Sequence, residues 1–285
     1  MNRRILLIIL TAAVVVVAIF SLAIYGFGVN NKITATFNDI FPFLPAALVN
    51  GRVVFLDEVD DRLWLHEQAV MHQSLIMSAT GNQQQILEAL IRQEIISDLL
   101  EKRNIGILSA ELEEYYTHLK SNFTGDVGKE IVEVFHISEE RFKVLIVRPD
   151  LQEKILKLEI NSQASGDKGY ERARKIKTLL NEGMSFVEAA RFYSEDESSK
   201  YNGGDLGFFT RTEVNPWLKR AFDLTASSTS DVIVSPDGYH ILMVTNKDEA
   251  GEEKIQLQHI FIRGPDFEEY LERQQKSYRI YTFVK

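Results

Sequence analysis

The sequence Asn202-Gly203-Gly204-Asp205-Leu206-Gly207-Phe208-Phe209 decides how the second half of the chain is interpreted. Adjacent glycines followed by an aspartate indicate a turn, because glycine accepts backbone angles that other residues avoid. The segments Pro216-Trp217 and Ala221-Phe222 follow this turn. Two apolar runs with one histidine each come next: Asp237-Gly238-Tyr239-His240-Ile241-Leu242 and Gln258-His259-Ile260-Phe261-Ile262.

These pieces resemble, in order and spacing, the parvulin family of peptidyl-prolyl isomerases. That family combines a Gly-Gly-Asp-Leu-Gly-x-Phe turn, a Pro/Phe groove segment and a Gly-Tyr-His-Ile strand. Two helices that end in Tyr-Ser-x-Asp precede its turn, and the matching positions here are Ala173, Ile176, Leu180, Gly183, Phe186, Ala190, Tyr193, Ser194 and Asp196. The resemblance implies an α+β domain over residues 170–285, with an antiparallel sheet and helices.

One strand of the parvulin pattern is displaced in this sequence. A parvulin domain begins with a His-Ile-Leu-Val strand, and none precedes Tyr170. The run 256–263, which contains His259, has that composition and follows strand 238–245 after a short polar connection. We therefore predict a circularly permuted domain whose first strand comes from the C-terminal side and whose hairpin brings His240 and His259 nearly opposite each other. The alternative is a truncated second repeat beginning at Gln256.

The resemblance implies noncovalent chemistry without a cofactor. Rotation about an Xaa-Pro bond has a barrier of about 18–20 kcal/mol, so an isomerase must bind the twisted amide better than either planar isomer. We expect a polar floor and an apolar socket for the proline ring. The catalytic candidates are His240, His259, Glu197 (at the family's Cys or Asp position) and Ser235 (at a family hydroxyl). The substrate-binding candidates are Leu206, Glu213, Val214, Trp217 and Phe222.

Alternatives to these assignments stay open. Trp217 can also be interpreted as a core aromatic, and His240 as a buried, hydrogen-bonded strand histidine. The family's groove Met falls at Glu213, or at Val214 if the loop is one residue shorter, and a family Gly falls at Thr212. These replacements favour a rival hypothesis, in which the fold is catalytically silent and serves as a holdase. A scaffold of an envelope complex is a third hypothesis.

A second resemblance covers roughly residues 46–160. Val49-Asn50-Gly51 combines an apolar run with a turn, and a long helical pattern over 82–103 follows. These features resemble the helical N-terminal domain of SurA-like and PrsA-like exported chaperone-foldases. Helices are also predicted over 58–78, 110–121 and 138–160, the last kinked or broken at Pro149. The polar segment 161–169 is predicted to link the two domains.

The N-terminus predicts a membrane anchor. The uncharged apolar run 5–25 would form a helix about 31 Å long, enough to cross a bilayer core of roughly 30 Å. Arg3 and Arg4 precede it and favour export of the remainder. We predict a signal-anchor over 1–28 and a juxtamembrane spacer over 29–45. A cleaved signal peptide is the alternative, although this run is longer than a typical signal core.

Composition limits the function further. The chain has 285 residues and no cysteine, which excludes disulfides, a thiolate nucleophile and Cys-ligated zinc. Its formal net charge of −9 argues against a nucleic-acid partner. No metal-ligand or nucleophile-base pattern is apparent, so we predict no metal site. The sequence therefore predicts a membrane-anchored, extracytoplasmic foldase that isomerises Xaa-Pro bonds in unfolded or nascent exported polypeptides.

Overall fold

The computed structural model describes residues 44–72, 74, 81–123, 125–163, 167–248 and 253–284. The predicted anchor 1–28 lies outside these residues, as does the spacer 29–45 up to residue 43. Within the described part, no helix has both the length and the apolar character that crossing a membrane requires. The chain divides into two compact units, residues 99–274 and a unit that joins residues up to 98 with residues from 275 onward.

The elements follow one another in a mixed order. They are β1 (Pro45–Val49), β2 (Arg52–Phe55), α1 (Leu56–Met71), α2 (Gln83–Glu101), α3 (Ser109–Ser121), α4 (Val127–Phe135), α5 (Glu139–Phe142), α6 (Arg148–Ser162), α7 (Lys168–Asn181), α8 (Phe186–Tyr193), β3 (Asp205–Thr210), β4 (Ile233–Ser235), β5 (Gly238–Asp248), β6 (Lys254–Arg263), α9 (Phe267–Gln275) and β7 (Ile280–Thr282). The predicted mixture of helix and sheet is therefore confirmed.

The first unit is built around the Val-Asn-Gly turn. Asn50 and Gly51 both adopt positive φ, 49° and 90°, and form a two-residue turn that pairs β1 with β2. Strand β7 pairs with the other edge of β1, and the backbone amide of Arg279 donates to Asn50 Oδ1 at 2.8 Å. The turn predicted from the sequence thus also anchors the C-terminal strand.

Helices α3 to α6 open the second unit. The run predicted over 138–160 is interrupted before Pro149, where residues Lys143–Val147 form a π-helical turn between α5 and α6. Proline has no backbone N–H and its ring crowds the carbonyl four residues earlier, so the wider turn removes both conflicts. Helix α4 was not predicted; Asp126 caps it by accepting from the Lys129 amide at 3.0 Å.

The four-stranded antiparallel sheet of the second unit has the order β3-β6-β5-β4. The C-terminal strand β6 lies between β3 and β5, so the prediction that this segment joins the sheet is confirmed. One sheet face packs on α7 and α8 through Tyr239, Ile241, Ile260 and Ile262. The other face carries Leu242, Val244, Ile255 and Leu257 against the 3-10 helix Pro216–Asp223.

The end of α6 packs on the sheet of the second unit. Asn161, in the predicted linker 161–169, is buried, and its side-chain amide donates to the carbonyl of Ser235 at 2.8 Å and to that of Pro236 at 3.1 Å. Asn161 therefore holds the end of α6 against the turn between β4 and β5. No periodic pattern in the sequence indicates this contact, because it depends on one two-residue turn and one buried side-chain amide.

Candidate active site

The two predicted histidines meet on one face of the sheet. In the β5–β6 pairing His240 lies opposite Phe261, and His259 lies opposite Leu242. Side chains two residues apart on a strand point to the same face. The two imidazoles are 3.4 Å apart between their Nδ1 atoms, and they are 8% and 7% exposed. The face is the one that carries the buried apolar cluster with Leu242 and Leu257.

Ser235 holds the outer nitrogen of His240. Its Oγ lies 2.9 Å from His240 Nε2, and the same oxygen accepts from the backbone amides of Asp237 at 3.2 Å and Gly238 at 3.3 Å. Because both amides can only donate, the Ser235 hydroxyl is left to donate its own hydrogen to His240. Ser235, a candidate from the sequence, therefore lies beside the histidine pair.

Asp196 holds the outer nitrogen of His259. Its Oδ2 lies 2.8 Å from His259 Nε2 and also accepts from the Ser199 hydroxyl, whose oxygen is 3.2 Å from the same ring nitrogen. Its Oδ1 accepts from the Ser198 amide at 3.1 Å and from the Ser198 hydroxyl at 2.7 Å. The carboxylate is therefore fixed by neighbours on its own loop and aimed at the ring.

One arrangement of protons satisfies every contact in this chain. Ser235 donates to His240 Nε2, so the proton of His240 is on Nδ1 and points at His259 Nδ1. His259 then carries its proton on Nε2 and donates it to Asp196. Each imidazole is neutral, donates once and accepts once. The chain Ser235–His240–His259–Asp196 is thus a directed row of hydrogen bonds.

The electrostatics agree with neutral imidazoles. Burial, with a smaller contribution from the neighbouring His259, lowers the pKa of His240 to about 3. Burial also lowers the pKa of His259, although its hydrogen bond to Asp196 opposes that effect. Burial acts to raise the pKa of Asp196, but hydrogen bonds from Ser199, Ser198 and His259 prevail and hold it well below its usual value.

The Gly-Gly turn places the Asp196 loop on β6. Gly204 has φ of 79°, and a Cβ at this position would lie 2.1 Å from the carbonyl oxygen of His259. That close approach lets the Gly204 carbonyl accept from the His259 amide at 2.8 Å. Farther along β6, Glu195 donates its amide to Phe261 at 2.8 Å. A glycine is needed here because any side chain would push the loop away from the histidine strand.

Glu197 is not at the histidine pair, which corrects the sequence assignment. Its side chain is 69% exposed and pairs with Lys200 at 2.5 Å. Asp196, one residue earlier, makes the contact instead. Glu197 was assigned by counting seven residues back from Gly204. The 3-10 turn Lys200–Asn202 sets the length of this loop, and with that length the count misses Asp196 by one residue. Counting forward from Tyr193-Ser194 reaches the correct residue.

The apolar candidates lie beside the histidines on the same sheet face. Val214 and Phe222 are each 2% exposed and belong to the buried cluster, and Leu206 packs against it while partly exposed. Val214 and Phe222 therefore form the interior behind any socket, and Leu206 is the part of this group that solvent reaches. Glu213 is exposed, and its Oε2 accepts from the amide and the hydroxyl of Thr210, both at 2.9 Å.

Trp217 has a neighbour that the sequence did not indicate. Its ring lies 5.8 Å from the ring of Tyr115 on α3, at an interplanar angle of 59°. Lys219 pairs with Glu114 of the same helix at 2.5 Å. The 3-10 helix that carries Trp217 is thus covered by α3 on this side.

Two further residues contribute to the histidine site and were not assigned from the sequence. Ser199 bonds both Asp196 and His259, and no motif distinguishes it from other loop serines. Phe261 places its ring 4.9 Å from that of His240, and the alternation along β6 puts it on the His259 face. That alternation was a signal that could have identified Phe261. Among the described residues, no group of three His, Asp or Glu side chains is arranged to hold a metal ion.

Part of the chain matches a known protein family. Residues 145–248 match the family described as the PPIC-type PPIASE domain. The match includes His240 but ends before β6 and His259. Foldase protein PrsA 1 of Bacillus cereus is 44% identical over 78 residues, which is 27% of this chain and 27% of that protein.

Longer alignments extend over more of the chain at lower identity. Foldase protein PrsA of Geobacillus kaustophilus is 26% identical over 215 residues, covering 70% of this chain and 63% of that protein. A crystal structure of peptidylprolyl isomerase (PrsA) from Bacillus anthracis covers 67% of this chain and 86% of that one, with 22% identity and a TM-score of 0.25. The matched region spans less than two thirds of the length of either foldase sequence. The chain carries a parvulin-type peptidyl-prolyl cis-trans isomerase domain of the PrsA kind.

Proposed function

We propose that the chain is a foldase that catalyses cis-trans isomerisation of Xaa-Pro bonds. The observation that carries this proposal is the pair of neutral, hydrogen-bonded imidazoles of His240 and His259 beside an apolar cluster on one sheet face. A twisted amide has lost its resonance, so a site accelerates rotation when it binds that state better than a planar one. The reaction needs no nucleophile and no bound cofactor.

Each part of the hydrogen-bonded row has a separate role in this mechanism. Ser235 and Asp196 fix the two ends of the row, so the imidazoles cannot turn when a peptide approaches. A polar surface that needs no reorganisation can stabilise the transition state at low cost. Leu206 supplies apolar contact for the ring, with Val214 and Phe222 packed behind it. Substrate contact by Trp217 remains a prediction.

Isomerase activity is tested on short peptides with a proline, by protease-coupled or NMR exchange kinetics. The full chain should accelerate isomerisation, and His259→Ala should reduce kcat/KM by about 100-fold or more, as expected when a preorganised polar group of the transition-state site is removed. His72→Ala is the matched control, because His72 is exposed and lies at the end of α1. Equal activity of the two variants would contradict the assigned site.

We also propose that the domain is circularly permuted and that β6 supplies its first strand. Support comes from the family match, which ends at residue 248, and from β6, which pairs with both β3 and β5. A chain that ends at residue 253 keeps the whole matched region but loses the central strand. It should fail to give dispersed NMR signals for residues 205–248, whereas a chain that ends after α9 at residue 276 should keep them. A folded sheet in the shorter chain would refute the permutation.

The clients and the location form a further part of the proposal. We infer that the chain is anchored through the apolar run 5–25 and handles exported polypeptides outside the cytoplasm. The run is long enough to span a bilayer core, and relatives are called foldases. Protease added to intact cells or protoplasts should digest residues 44–284, and cell fractionation should place the chain in the membrane. A protease-protected, freely soluble chain would contradict both points.

A second candidate function is a silent holdase with the same fold. It is favoured by Glu213, whose carboxylate stands at the position of the family's groove Met and is held by Thr210. A charged group at the rim weakens the binding of an apolar ring. Suppressed aggregation of an unfolded client without any isomerase activity would support this function over the first.

A further inference from the structure

A cavity lies away from the histidine row, within the unit formed by residues 99–274. It has a volume of about 280 Å³ and lies between α3, α6 and the start of the 3-10 helix Pro216–Asp223. Its walls are mainly apolar: Tyr115, Leu151, Ile155, Leu158, Pro216 and Trp217. A single water occupies roughly 30 Å³ of liquid, so the space is several times larger than a hydration site.

The aromatic walls offer carbon surfaces instead of polar groups. The hydroxyl of Tyr115 donates to the Asp150 carboxylate, so its only polar atom is already bonded. Burial, followed by this bond, raises the pKa of that hydroxyl, which therefore stays protonated. The tilted ring of Trp217 lies 5.8 Å away. Aromatic pairs of this kind bind bulky apolar side chains by area and dispersion.

The lining also carries acidic side chains. Glu111 and Glu114 are exposed and line the cavity together with Gly106. Lys219 pairs with Glu114, whereas Glu111 accepts from the backbone amide of Leu108 at 2.8 Å. A guest with a positive charge next to its apolar group would suit this lining. A second copy of the chain suits it less, because each copy carries a net charge of −9.

We propose that this cavity binds one bulky apolar side chain of an extended polypeptide that carries basic residues next to it. The inference rests on the proposed foldase function for its choice of an unfolded polypeptide as guest. The cavity would hold a client at a position distinct from the histidine row. Its volume fits one large side chain and not a folded surface.

The test measures binding of a fluorescein-labelled, proline-free peptide with a Leu-Phe pair between lysines to the full chain. Gly106 lines the cavity, so Gly106→Leu should place a bulky side chain at its wall. The change should cause no strain, since a Cβ there meets no heavy atom within 4 Å and the φ is not positive. Gly125→Leu is the matched control, with the same open surroundings. We expect Gly106→Leu to weaken binding by about tenfold, the change typical of a well-packed interface contact. Gly125→Leu should not change it.

A second variant tests the charge. Glu111→Gln keeps an oxygen for the Leu108 amide but removes the charge, so it should weaken binding of the lysine-flanked peptide and not of a glutamate-flanked one. Equal binding by Gly106→Leu and Gly125→Leu, or no peptide binding by the wild type, would overturn the proposal. Self-association of the wild type that Gly106→Leu abolishes would overturn it in favour of a second copy as occupant.

Isomerisation of a proline tetrapeptide is measured on the same samples to separate the two proposals. If the wild type binds the peptide, Gly106→Leu weakens that binding and the wild type has no isomerase activity, the proposed function is refuted and the cavity site is retained. An active wild type whose peptide binding is insensitive to Gly106→Leu refutes the cavity site alone.

Discussion

Lowering the pH from 7 to 5 should destabilise the unit formed by residues 99–274, and His240 should account for a definable part of the loss. Its pKa is about 3 in the folded chain because it is buried, whereas an unfolded histidine titrates near ~6.5. At pH 5 the unfolded state therefore binds a proton that the folded state excludes. Stability falls as the pH drops below ~6.5, by about 1.4 kcal/mol per pH unit, so the loss reaches about 2 kcal/mol at pH 5.

The window from pH 7 to pH 5 separates this effect from that of the carboxylate. Asp196 also has a lowered pKa in the folded chain, but its stabilisation is lost only as the pH falls below the unfolded value of ~3.9. His259 has a lowered pKa as well and adds to the loss in the same direction. A comparison of variants is therefore needed to isolate His240.

The assay is urea denaturation at pH 7 and pH 5, followed by Trp217 fluorescence. Of the two tryptophans, Trp64 lies in the other unit, so a Trp64→Phe background makes Trp217 the reporter. His240→Asn cannot titrate, and its loss of unfolding free energy between the two pH values should be about 2 kcal/mol smaller than that of the parent. His72→Asn should behave like the parent. If His240→Asn loses as much stability as the parent, the folded site does not exclude the proton.

Three further predictions concern the loop and the core. Gly204→Ala should destabilise the chain by more than Gly207→Ala in urea denaturation: both glycines have positive φ, costing about 1–2 kcal/mol each, but only at Gly204 would a Cβ meet a backbone carbonyl, at 2.1 Å. Asp196→Asn should lower kcat/KM by about tenfold or more, as loss of a charge-assisted bond would, whereas Glu197→Gln should retain activity in the same peptide assay. Phe222→Ala should cost about 3–5 kcal/mol in unfolding free energy, because it empties a buried core position.

Each of these three can fail in a specific way. Equal destabilisation by the two glycine variants would mean that the loop shifts without cost. Loss of activity in Glu197→Gln but not in Asp196→Asn would restore the assignment of Glu197, and equal activity would mean that Asp196 contributes no more than Glu197. Normal stability of the Phe222→Ala chain would mean that the ring of Phe222 is not packed in the core.

The sheet and its histidines could be predicted because they depend on short-range patterns. The start of 254–263 alternates between apolar and polar residues, and 239–244 is a nearly continuous apolar run; both patterns fit buried strands. A short connection between such strands favours an antiparallel pair. Ser235 was assigned from its match to a family hydroxyl, and the two-residue turn between β4 and β5 places it beside His240. These predictions needed no knowledge of side chains that are distant in the sequence.

Loop length is where the sequence prediction failed. The path from Tyr193 to Gly204 contains a 3-10 turn, and one extra residue in such a turn changes which carboxylate reaches His259. Asp196 and Glu197 are chemically alike, so composition could not choose between them. What decides is the pair of serine hydroxyls at 198 and 199, which bond Asp196.

Trp217 shows a different limit of the sequence prediction: its position was predicted, but the residues that surround it were not. Its position in the groove segment was assigned from a pattern within the isomerase domain, and the family match begins only at residue 145. The ring that it contacts belongs to Tyr115 on α3, before that match begins. A pattern confined to one domain cannot state what an adjoining helix adds to its surface. The same helix provides Glu111 and Glu114 to the cavity, so the side chain predicted to hold proline also faces a site that the helical segment helps to build.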